Sequence, residues 1–370
     1  MSTIRFFRHA LAFAALGCGL WSPAHGAEYA AQGLVSDDIT LHPAQLQDTS
    51  LVNAWGMSYS PTSPFWVSAA DGNVSPLYRV NPGTQATTKL GLTVSVPGGP
   101  TGQVFNGNAA AFNGDNFLFV SEDGSVHGWR GALGSTAETL VVASPSNSYK
   151  GAAFATIGAD SYLYAANFAT GAIDVFKGSA SSPSLAGSFT DPGTPSGYAP
   201  FNVQRLGTSL YVTYVKQDDA HEDEVKGAGL GVVDQFDLQG NFLGRVATGG
   251  TLNAPWGLAI APSSFGALSG ALLVGNFGDG RINAFDVTTH AFLGQLLGDG
   301  GAALTIDGLW AISPGNDGGA GSSQSLYFTA GPDDEAHGLF GVLMAVPEPS
   351  SVVLLGLGLV VLVAVSRKRG

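Results

Sequence analysis

The sequence predicts an all-β fold, specifically a six-bladed β-propeller of four-stranded antiparallel blades. Short apolar segments recur six times, beginning near residues 53, 108, 150, 200, 255 and 307. Each is followed by a run rich in aromatic and β-branched residues, as in "FLFVSE" at 117 and "LYVTYV" at 210, which are strong strand signals. No long stretch has helical periodicity, and self-similarity at this spacing is typical of ring-shaped repeat proteins.

Turn residues and two further runs complete each predicted blade. Asp-Gly pairs at Asp71, Asp123 and Asp279 favour tight hairpins, because glycine adopts positive φ without steric cost. A third run follows the turn, and five units have a fourth run: "ATTKL", "ETLVV", "LAGSF", "NFLGRV" and "AFLGQL". The sixth unit lacks one, whereas the strand-like segment "YAAQGLVS" at 29–36 has no partner. Pairing of that segment with the sixth unit closes the ring without an exposed edge.

Residues 1–26 have the parts of a secretory signal peptide. Arg5 and Arg8 precede an apolar stretch, and Ala24 and Gly26 stand at cleavage spacing. Cleavage after Gly26 removes Cys18, the single cysteine, and leaves an exported body without disulfides. Lipidation at Cys18, as in a lipoprotein, is the alternative.

Residues 347–370 form a predicted sorting tail in three parts. The tail opens with Pro347, Glu348 and Pro349, continues with the uncharged residues 350–366, and ends with Arg367, Lys368 and Arg369. The uncharged part is just long enough, as a helix, to cross a hydrocarbon core of ~30 Å, and the basic cluster stays cytoplasmic. A buried C-terminal helix is the alternative.

This tail resembles the PEP-CTERM sorting signals of exported bacterial proteins. The resemblance implies processing by an exosortase, a membrane transpeptidase that cuts near the triplet and transfers the body to an acceptor. It also implies transient anchoring in the inner membrane of a diderm bacterium that makes extracellular polysaccharide. The body is then expected in the periplasm, on the outer surface or in the extracellular matrix.

The predicted propeller, residues 27–346, is acidic. Five of the fifteen basic residues and one of the 28 acidic residues lie in the end segments, which leaves a formal net charge of −17. This charge excludes nucleic acid as a partner.

The body resembles a family of exported bacterial propellers related in fold to NHL-type and gluconolactonase-like rings. The motifs that carry the resemblance include "PTGQVFN" at 100, "LNAPWGLAIAP" at 252, "LLVGNFGDGRINAF" at 272 and "DGLWAIS" at 307. The resemblance implies the fold and stops short of an activity.

Polar residues beside the predicted first strands form one candidate metal site. First strands line the channel of a propeller, and ring enzymes that open lactones hold a divalent metal there, for which Ca²⁺ accepts oxygen ligands. The candidate ligands are Asn53, Asn108, Asn202, Asn253 and Asp307. The alternative is that the asparagines cap turns through their own backbone.

An acidic loop is a second calcium candidate. It carries Asp218, Asp219, Glu222, Asp223 and Glu224. Their spacing differs from that of an EF-hand, and the alternative is a protruding, mobile, solvated loop. The histidines are scattered over separate blades and show no ligand spacing, so the sequence does not indicate zinc.

Tryptophans are the last candidates. Trp129 and Trp310 are predicted glycan contacts, whereas packing between blades is the alternative. From these observations we expect a non-enzymatic module that binds or scaffolds a glycan or protein of the envelope or matrix. The alternative is a calcium-dependent lactonase or esterase with its metal at the channel mouth.

Overall fold

A computed structural model describes residues 28–346, so the predicted signal peptide and sorting tail lie outside the described residues. The described part contains β-strands and short 3₁₀ turns. The 3₁₀ turns are Phe112–Gly114, Gly131–Leu133, Gly266–Leu268 and Asp299–Gly301. Within 28–346 no helix has the length and hydropathy needed to span a bilayer.

The strands form six sheets in a ring. The chain begins with β1 (Glu28–Ser36) and β2 (Leu46–Gln47). Blade 1 contains β3 (Ala54–Ser58), β4 (Phe65–Ala69), β5 (Val74–Val80) and β6 (Thr87–Ser95). Blade 2 contains β7 (Pro100–Phe105), β8 (Phe117–Ser121), β9 (Val126–Trp129) and β10 (Glu138–Val141). Blade 3 contains β11 (Tyr149–Ile157), β12 (Asp160–Asn167) and β13 (Ala172–Lys177).

The remaining blades follow the same antiparallel order. Blade 4 contains β14 (Tyr198–Leu206), β15 (Ser209–Lys216), β16 (Val232–Asp237) and β17 (Phe242–Thr248). Blade 5 contains β18 (Pro255–Ile260), β19 (Leu272–Asn276), β20 (Ile282–Phe285) and β21 (Phe292–Gln295). Blade 6 contains β22 (Leu309–Pro314), β23 (Leu326–Ala330), β24 (Leu339–Val346) and, as its outer strand, β1. The predicted six-bladed propeller is confirmed.

The N-terminal strand closes the ring. β1 runs antiparallel to β24, from Glu28 opposite Val346 to Ser36 opposite Leu339. β2 then pairs in parallel with the end of β1. Closure by residues 29–36 is therefore confirmed, and it removes the edge that β24 would otherwise expose.

Burial explains why the second strand of each blade gives the clearest sequence signal. Every residue of β4, β8, β19 and β23 is buried, because neighbouring strands flank each one and adjacent blades cover both faces. Outer strands face solvent, as in β21, where Phe292 and Leu293 are exposed. Strands covered on both faces read as continuous apolar runs rather than as alternating patterns.

Blade 3 differs from the prediction. The run "LAGSF" (185–189) forms no strand with β13; Gly187 N and Phe189 N instead donate to the carbonyls of Gln239 and Gly240 in blade 4, at 2.9 and 3.0 Å. Phe189 has φ of 53°, which no extended strand tolerates, and its ring is buried against Tyr164 and Phe236. Packing against the next blade therefore replaces the expected fourth strand.

Candidate functional site

Six aromatic side chains from five blades fill the propeller axis. We call this set the axial aromatic cluster; its members are Trp55, Phe168, Phe201, Trp256, Phe277 and Trp310. Trp310 stacks on Trp55 at 3.7 Å and on Phe277 at 3.9 Å between ring centroids, and Trp256 meets Trp310 nearly perpendicularly. The cluster divides the channel into two mouths. The upper mouth lies where the inner strands begin, and the lower mouth lies where they end.

The lower mouth opens into a cavity. Its volume is about 500 Å³, and its lining includes Met57, Gln103, Phe154, Arg205 and Ser313. Gln103 is buried and donates to the Gly56 carbonyl and to Ser68 Oγ, at 3.0 and 3.1 Å. Among the described residues, no carboxylate lines this cavity.

The upper mouth centres on a buried lysine. The Lys150 side chain is 5% exposed and forms an ion pair with Glu122, which is 35% exposed. Its ammonium also lies 5.4 Å from the ring centroid of Trp55 and 5.8 Å from that of Phe168, within cation–π range. Burial lowers the pKa of Lys150, but Glu122 and the more distant Glu224 and Asp223 outweigh burial and leave the pKa raised.

Four carboxyl groups lie at this mouth, and together with Lys150 we call them the mouth cluster: Glu122, Glu224 and Glu335, which interact with Lys150, and Asp71, which interacts with Glu122. Burial raises the pKa of Glu224 to about 7, although Lys150 opposes the shift. Burial also raises the pKa of Glu335, whose Oε2 accepts a 2.7 Å hydrogen bond from Asn53 Nδ2. Partial burial and the charge of Glu122 raise the pKa of Asp71.

Sequence reasoning names Glu224 as a candidate ligand but misses the other four members of the mouth cluster, because each member comes from a different blade. Lys150 lies at the start of β11. The four acids lie in the connections between second and third strands, namely β4–β5, β8–β9, β15–β16 and β23–β24. Five of the six blades have an acid in this connection, since Asp279 lies in the β19–β20 connection of blade 5, and such recurrence is a repeat-position signal. Alignment of the six units on their second strands would have revealed it.

The predicted asparagine ligands are used in structural hydrogen bonds. Asn53 Oδ1 accepts from Trp310 Nε1 at 3.0 Å, and Asn202 Oδ1 accepts from Val203 N at 2.8 Å. Asn253 Oδ1 accepts from Gly227 N at 2.7 Å. Each amide oxygen therefore already has a donor. An amide oxygen has two lone pairs, so one donor still leaves a lone pair for an ion, and the shared calcium site stays a prediction for these three residues.

The other two predicted ligands lie elsewhere. The first strand of blade 2 is β7, so Asn108 falls in the β7–β8 connection near the lower mouth, and its Nδ2 donates to Ser161 Oγ at 3.0 Å. The sequence prediction takes the segment at Asn108 as the start of the first strand of blade 2, whereas that strand ends before it. Asn108 therefore lies at the opposite end of the channel from the other asparagines. Asp307 is exposed, and its Oδ2 accepts from Asp333 N at 2.9 Å.

The acidic loop has two parts with different roles. Asp218 Oδ1 accepts from the backbone N–H of Glu222 and Asp223 at 3.0 and 3.4 Å, and the bonds from the loop backbone lower its pKa. Asp219, Glu222 and Asp223 are exposed, as expected for a solvated loop. Only Glu224, at the end of this loop, belongs to the mouth cluster.

The two tryptophans predicted to contact glycan have different surroundings. Trp310 has 0% exposure in the axial aromatic cluster, so the structure places it out of reach of a surface glycan. Trp129 is half-buried beside Trp66, and its Nε1 donates to the Gly134 carbonyl at 2.8 Å. The Trp129 ring is partly exposed, and a contact between Trp129 and a glycan stays a prediction.

Two histidines meet at the upper rim of blade 6. His42 Nε2 lies 2.9 Å from Asp333 Oδ2, and the rings of His42 and His337 are 5.3 Å apart. The expectation that the histidines stay apart is wrong for this pair. In residues 28–346, this is the only group of three or more His, Cys, Asp or Glu residues whose ligand atoms all lie within 4.8 Å of one another.

Comparison with known proteins identifies the tail and a relative of the body. Residues 345–369 match the PEP-CTERM protein-sorting motif. The chain is 31% identical over 314 residues to uncharacterized protein R648 of Acanthamoeba polyphaga mimivirus, an alignment that covers 80% of this chain and 75% of that protein. The sorting motif implies an exported protein. This relative is viral, so the expected bacterial family stays a prediction.

Solved structures share the ring fold at low identity. An α-L-arabinofuranosidase of Fusarium graminearum, solved as a point mutant in complex with an iminosugar inhibitor, is 11% identical with a TM-score of 0.56 and covers 86% of this chain and 98% of its own. The periplasmic gluconolactonase of Pseudomonas aeruginosa is 15% identical with a TM-score of 0.44, covering 76% and 82%. The first similarity concerns the fold alone, and the second supports no conclusion about this chain.

Proposed function

The chain belongs to the family of mimivirus protein R648, and we propose that this member is an exported, non-enzymatic module that binds a glycan at its upper mouth. The mouth cluster is the observation that carries the proposal. It combines carboxyl groups and an ammonium group with the aromatic rings of Trp55 and Phe168. Carboxylates and ammonium groups form hydrogen bonds with sugar hydroxyls. The rings of Trp55 and Phe168 are buried beneath Lys150 and help to hold its ammonium group at the mouth.

An unpaired donor lies beneath the mouth cluster. In the described part of the chain, Trp55 Nε1 is buried without a hydrogen-bond partner, whereas Trp310 Nε1 and Trp256 Nε1 both donate, at 3.0 and 2.9 Å. Buried polar groups are almost always satisfied, and an exception calls for an external partner. Because Trp55 is buried, an ordered water beneath the mouth cluster is the partner that we assign to its Nε1.

The charge of the mouth restricts the class of glycan. Four carboxyl groups outnumber Lys150 and the nearby Lys226, whose Nζ lies 4.4 Å from the ring centroid of Phe277. A net negative mouth repels uronic acids and other acidic sugars. We therefore expect neutral or amino-bearing envelope or matrix polysaccharides to bind in preference to acidic ones.

Sorting delivers this module to its site of action. Removal of residues 1–26 leaves the propeller (27–346) and the tail (347–370). Exosortase then acts on the tail at Pro347-Glu348-Pro349, the triplet that lies N-terminal to the basic cluster Arg367-Lys368-Arg369. The tail anchors the body in the inner membrane only during this step. The propeller then resides in the periplasm, on the outer surface or in the extracellular matrix of a diderm bacterium, where its ligand is a polysaccharide or protein.

Glycan retention tests the proposal. Purified exported protein is passed over columns of neutral, amino-bearing and acidic polysaccharide, beside the variants Glu335→Gln and Glu122→Gln. Asp219→Asn is the matched control, because Asp219 is an exposed acid outside the mouth cluster. We expect both mouth variants to lose at least about tenfold in affinity and the control to match the wild type. Equal retention of all four proteins contradicts the proposal.

A calcium-dependent lactonase or esterase is the second candidate. It is favoured by Glu224, since a carboxyl group with a pKa raised to about 7 suits general acid or base catalysis near neutral pH. Metal analysis of the exported protein separates the candidates. A stoichiometric divalent ion that the Glu224→Gln variant loses, together with lactone turnover, favours the hydrolase.

A further inference from the structure

A second cluster of ionisable groups lies outside the mouth cluster, where the ring closes. Asp37 and His42 lie between β1 and β2, directly after the closing strand. Asp333 and His337 lie in the β23–β24 connection of blade 6. We call these four residues the closure cluster.

Two histidines and one carboxylate of this cluster face a common point. His42 Nε2 and Asp333 Oδ2 are 2.9 Å apart, and one ligand atom from each of His42, His337 and Asp333 lies within 4.8 Å of the others. The His42 and His337 side chains are 20% and 25% exposed, which leaves an opening to solvent. Tetrahedral zinc with bonds of about 2.0 to 2.2 Å needs ligand atoms about 3.4 Å apart, so small side-chain rotations bring these three atoms around one ion.

The fourth residue holds one of the histidines in place. Asp37 Oδ2 lies 2.9 Å from His337 Nδ1, and Asp37 Oδ1 accepts from Gly338 N at 2.9 Å. Asp37 N also donates to the Gly338 carbonyl at 3.1 Å. A carboxylate on one ring nitrogen directs the lone pair to the other nitrogen, as is usual for histidines that bind metal. Asp37 therefore directs His337 Nε2 toward an ion.

The carboxylate ligand is also held. Asp333, Asp334 and Glu335 have φ of 56°, 52° and 69°, three successive non-glycine residues in the left-handed region. Asp307 Oδ2 accepts from Asp333 N and fixes the start of this turn. Left-handed backbone is unfavourable for residues other than glycine, so surrounding contacts must maintain it. The turn directs Asp333 to His42 and Glu335 to the mouth cluster.

We propose that His42, His337 and Asp333 bind a divalent transition metal of the zinc class, with water as the fourth ligand and Asp37 positioning His337. Two imidazoles and one carboxylate suit zinc and its first-row neighbours, whereas calcium prefers an all-oxygen set. The ion would join the segment after β1 to the β23–β24 connection. It therefore stabilises the closure of the ring.

Cobalt substitution tests this site. Co²⁺ is titrated into the purified exported protein, visible absorption reports the ligand field, and Zn²⁺ is added to displace it. We expect one Co²⁺ per chain, displaced by equimolar Zn²⁺, with loss of the signal in His42→Gln and His337→Gln. Asp37→Asn is expected to weaken binding about 10–100-fold while one ion still binds.

His221→Asn is the matched control, because His221 is an exposed histidine in the acidic loop, away from the closure cluster. It is expected to bind Co²⁺ like the wild type. Absence of stoichiometric Co²⁺ binding by the wild type, or equal binding by His42→Gln and His337→Gln, overturns the proposal.

Thermal unfolding provides a second readout that does not depend on visible absorption. Zn²⁺ is expected to raise the midpoint of the wild type and of His221→Asn, and Ca²⁺ to leave it unchanged. A folded His42→Gln variant whose midpoint rises with Zn²⁺ as much as that of the wild type overturns the proposal. Glycan retention at the upper mouth does not enter this test, so the two proposals fail separately.

Discussion

The two mouths of the channel arise from the same inner strands, yet they present different surfaces. The lower mouth has a cavity of about 500 Å³ lined by Met57, Gln103 and Phe154, among others, with no carboxylate from the described residues in its wall. The upper mouth has the mouth cluster above aromatic rings. Charge at the upper mouth comes from the connections between second and third strands. The size of a cavity and the concentration of ionisable groups are therefore separate properties of this ring.

The largest expected effect comes from removing the partition between the mouths. Trp310→Ala deletes a fully buried ring that stacks on Trp55 and Phe277, and it leaves Asn53 Oδ1 without its donor. Loss of such a side chain costs about 3–5 kcal/mol of unfolding free energy. Urea denaturation measures this cost. Trp129→Ala is the control. An equal loss of unfolding free energy in this variant would show that the axial aromatic cluster contributes no more to stability than a half-buried tryptophan outside it.

A smaller effect is expected from the centre of the upper mouth. Lys150→Met removes the charge that opposes the raised pKa values of Glu224 and Glu335. Glu122 is partly exposed and regains water, so we expect a loss of about 1–3 kcal/mol rather than the full cost of a broken buried pair. The pKa of Glu224 should rise above its wild-type value. Carboxyl titration by NMR measures this pKa. An unchanged pKa would show that the charge of Lys150 does not influence Glu224.

The upper mouth should also give stability a pH dependence. The pKa of Glu224 is about 7 in the folded state and near 4.5 when unperturbed, so the folded state binds the extra proton between these values. Stability from this group is therefore greatest below pH 4.5 and falls as the pH rises toward 7. The difference in unfolding free energy between wild type and Glu224→Gln should change across this window. A constant difference contradicts the raised pKa.

The smallest effect is expected at the lower mouth. Arg205 is exposed at the rim of the cavity, and its Nε donates to the Gly207 carbonyl at 3.0 Å. Arg205→Ala should change the unfolding free energy by no more than about 0.5 kcal/mol and leave glycan retention unchanged. Loss of glycan retention in this variant would indicate that the glycan binds at the lower mouth.

Sequence reasoning succeeded where the signal is local. Strand runs, Asp-Gly turns and the unpaired segment at 29–36 predict the six blades and their closure, because strand propensity and turn chemistry act over a few residues. It failed for "LAGSF", since Phe189 packs against Phe236 of the next blade and takes a left-handed conformation. Such a choice depends on tertiary contacts.

The candidate sites were harder to predict for the same reason. Asn108 was assigned to a first strand because the weak repeat of blade 2 fixes its register poorly. The mouth cluster joins Glu122, Lys150 and Glu335 from three blades, and His42 meets His337 only because β1 pairs with β24. Ring closure brings these residues together although they are far apart in the chain, and a short sequence motif cannot indicate such proximity.

The pairing of Glu28 with Val346 also determines the side of the propeller from which the chain continues toward the sorting tail. β24 runs from the upper rim at Leu339 to the lower rim at Val346, so the polypeptide continues toward the sorting tail from the lower side. If the tail tethers the body to the inner membrane, as we propose, the lower face is expected to lie nearer the bilayer. The carboxyl-rich mouth is then expected to point away from the lipid surface, toward the space where polymers accumulate.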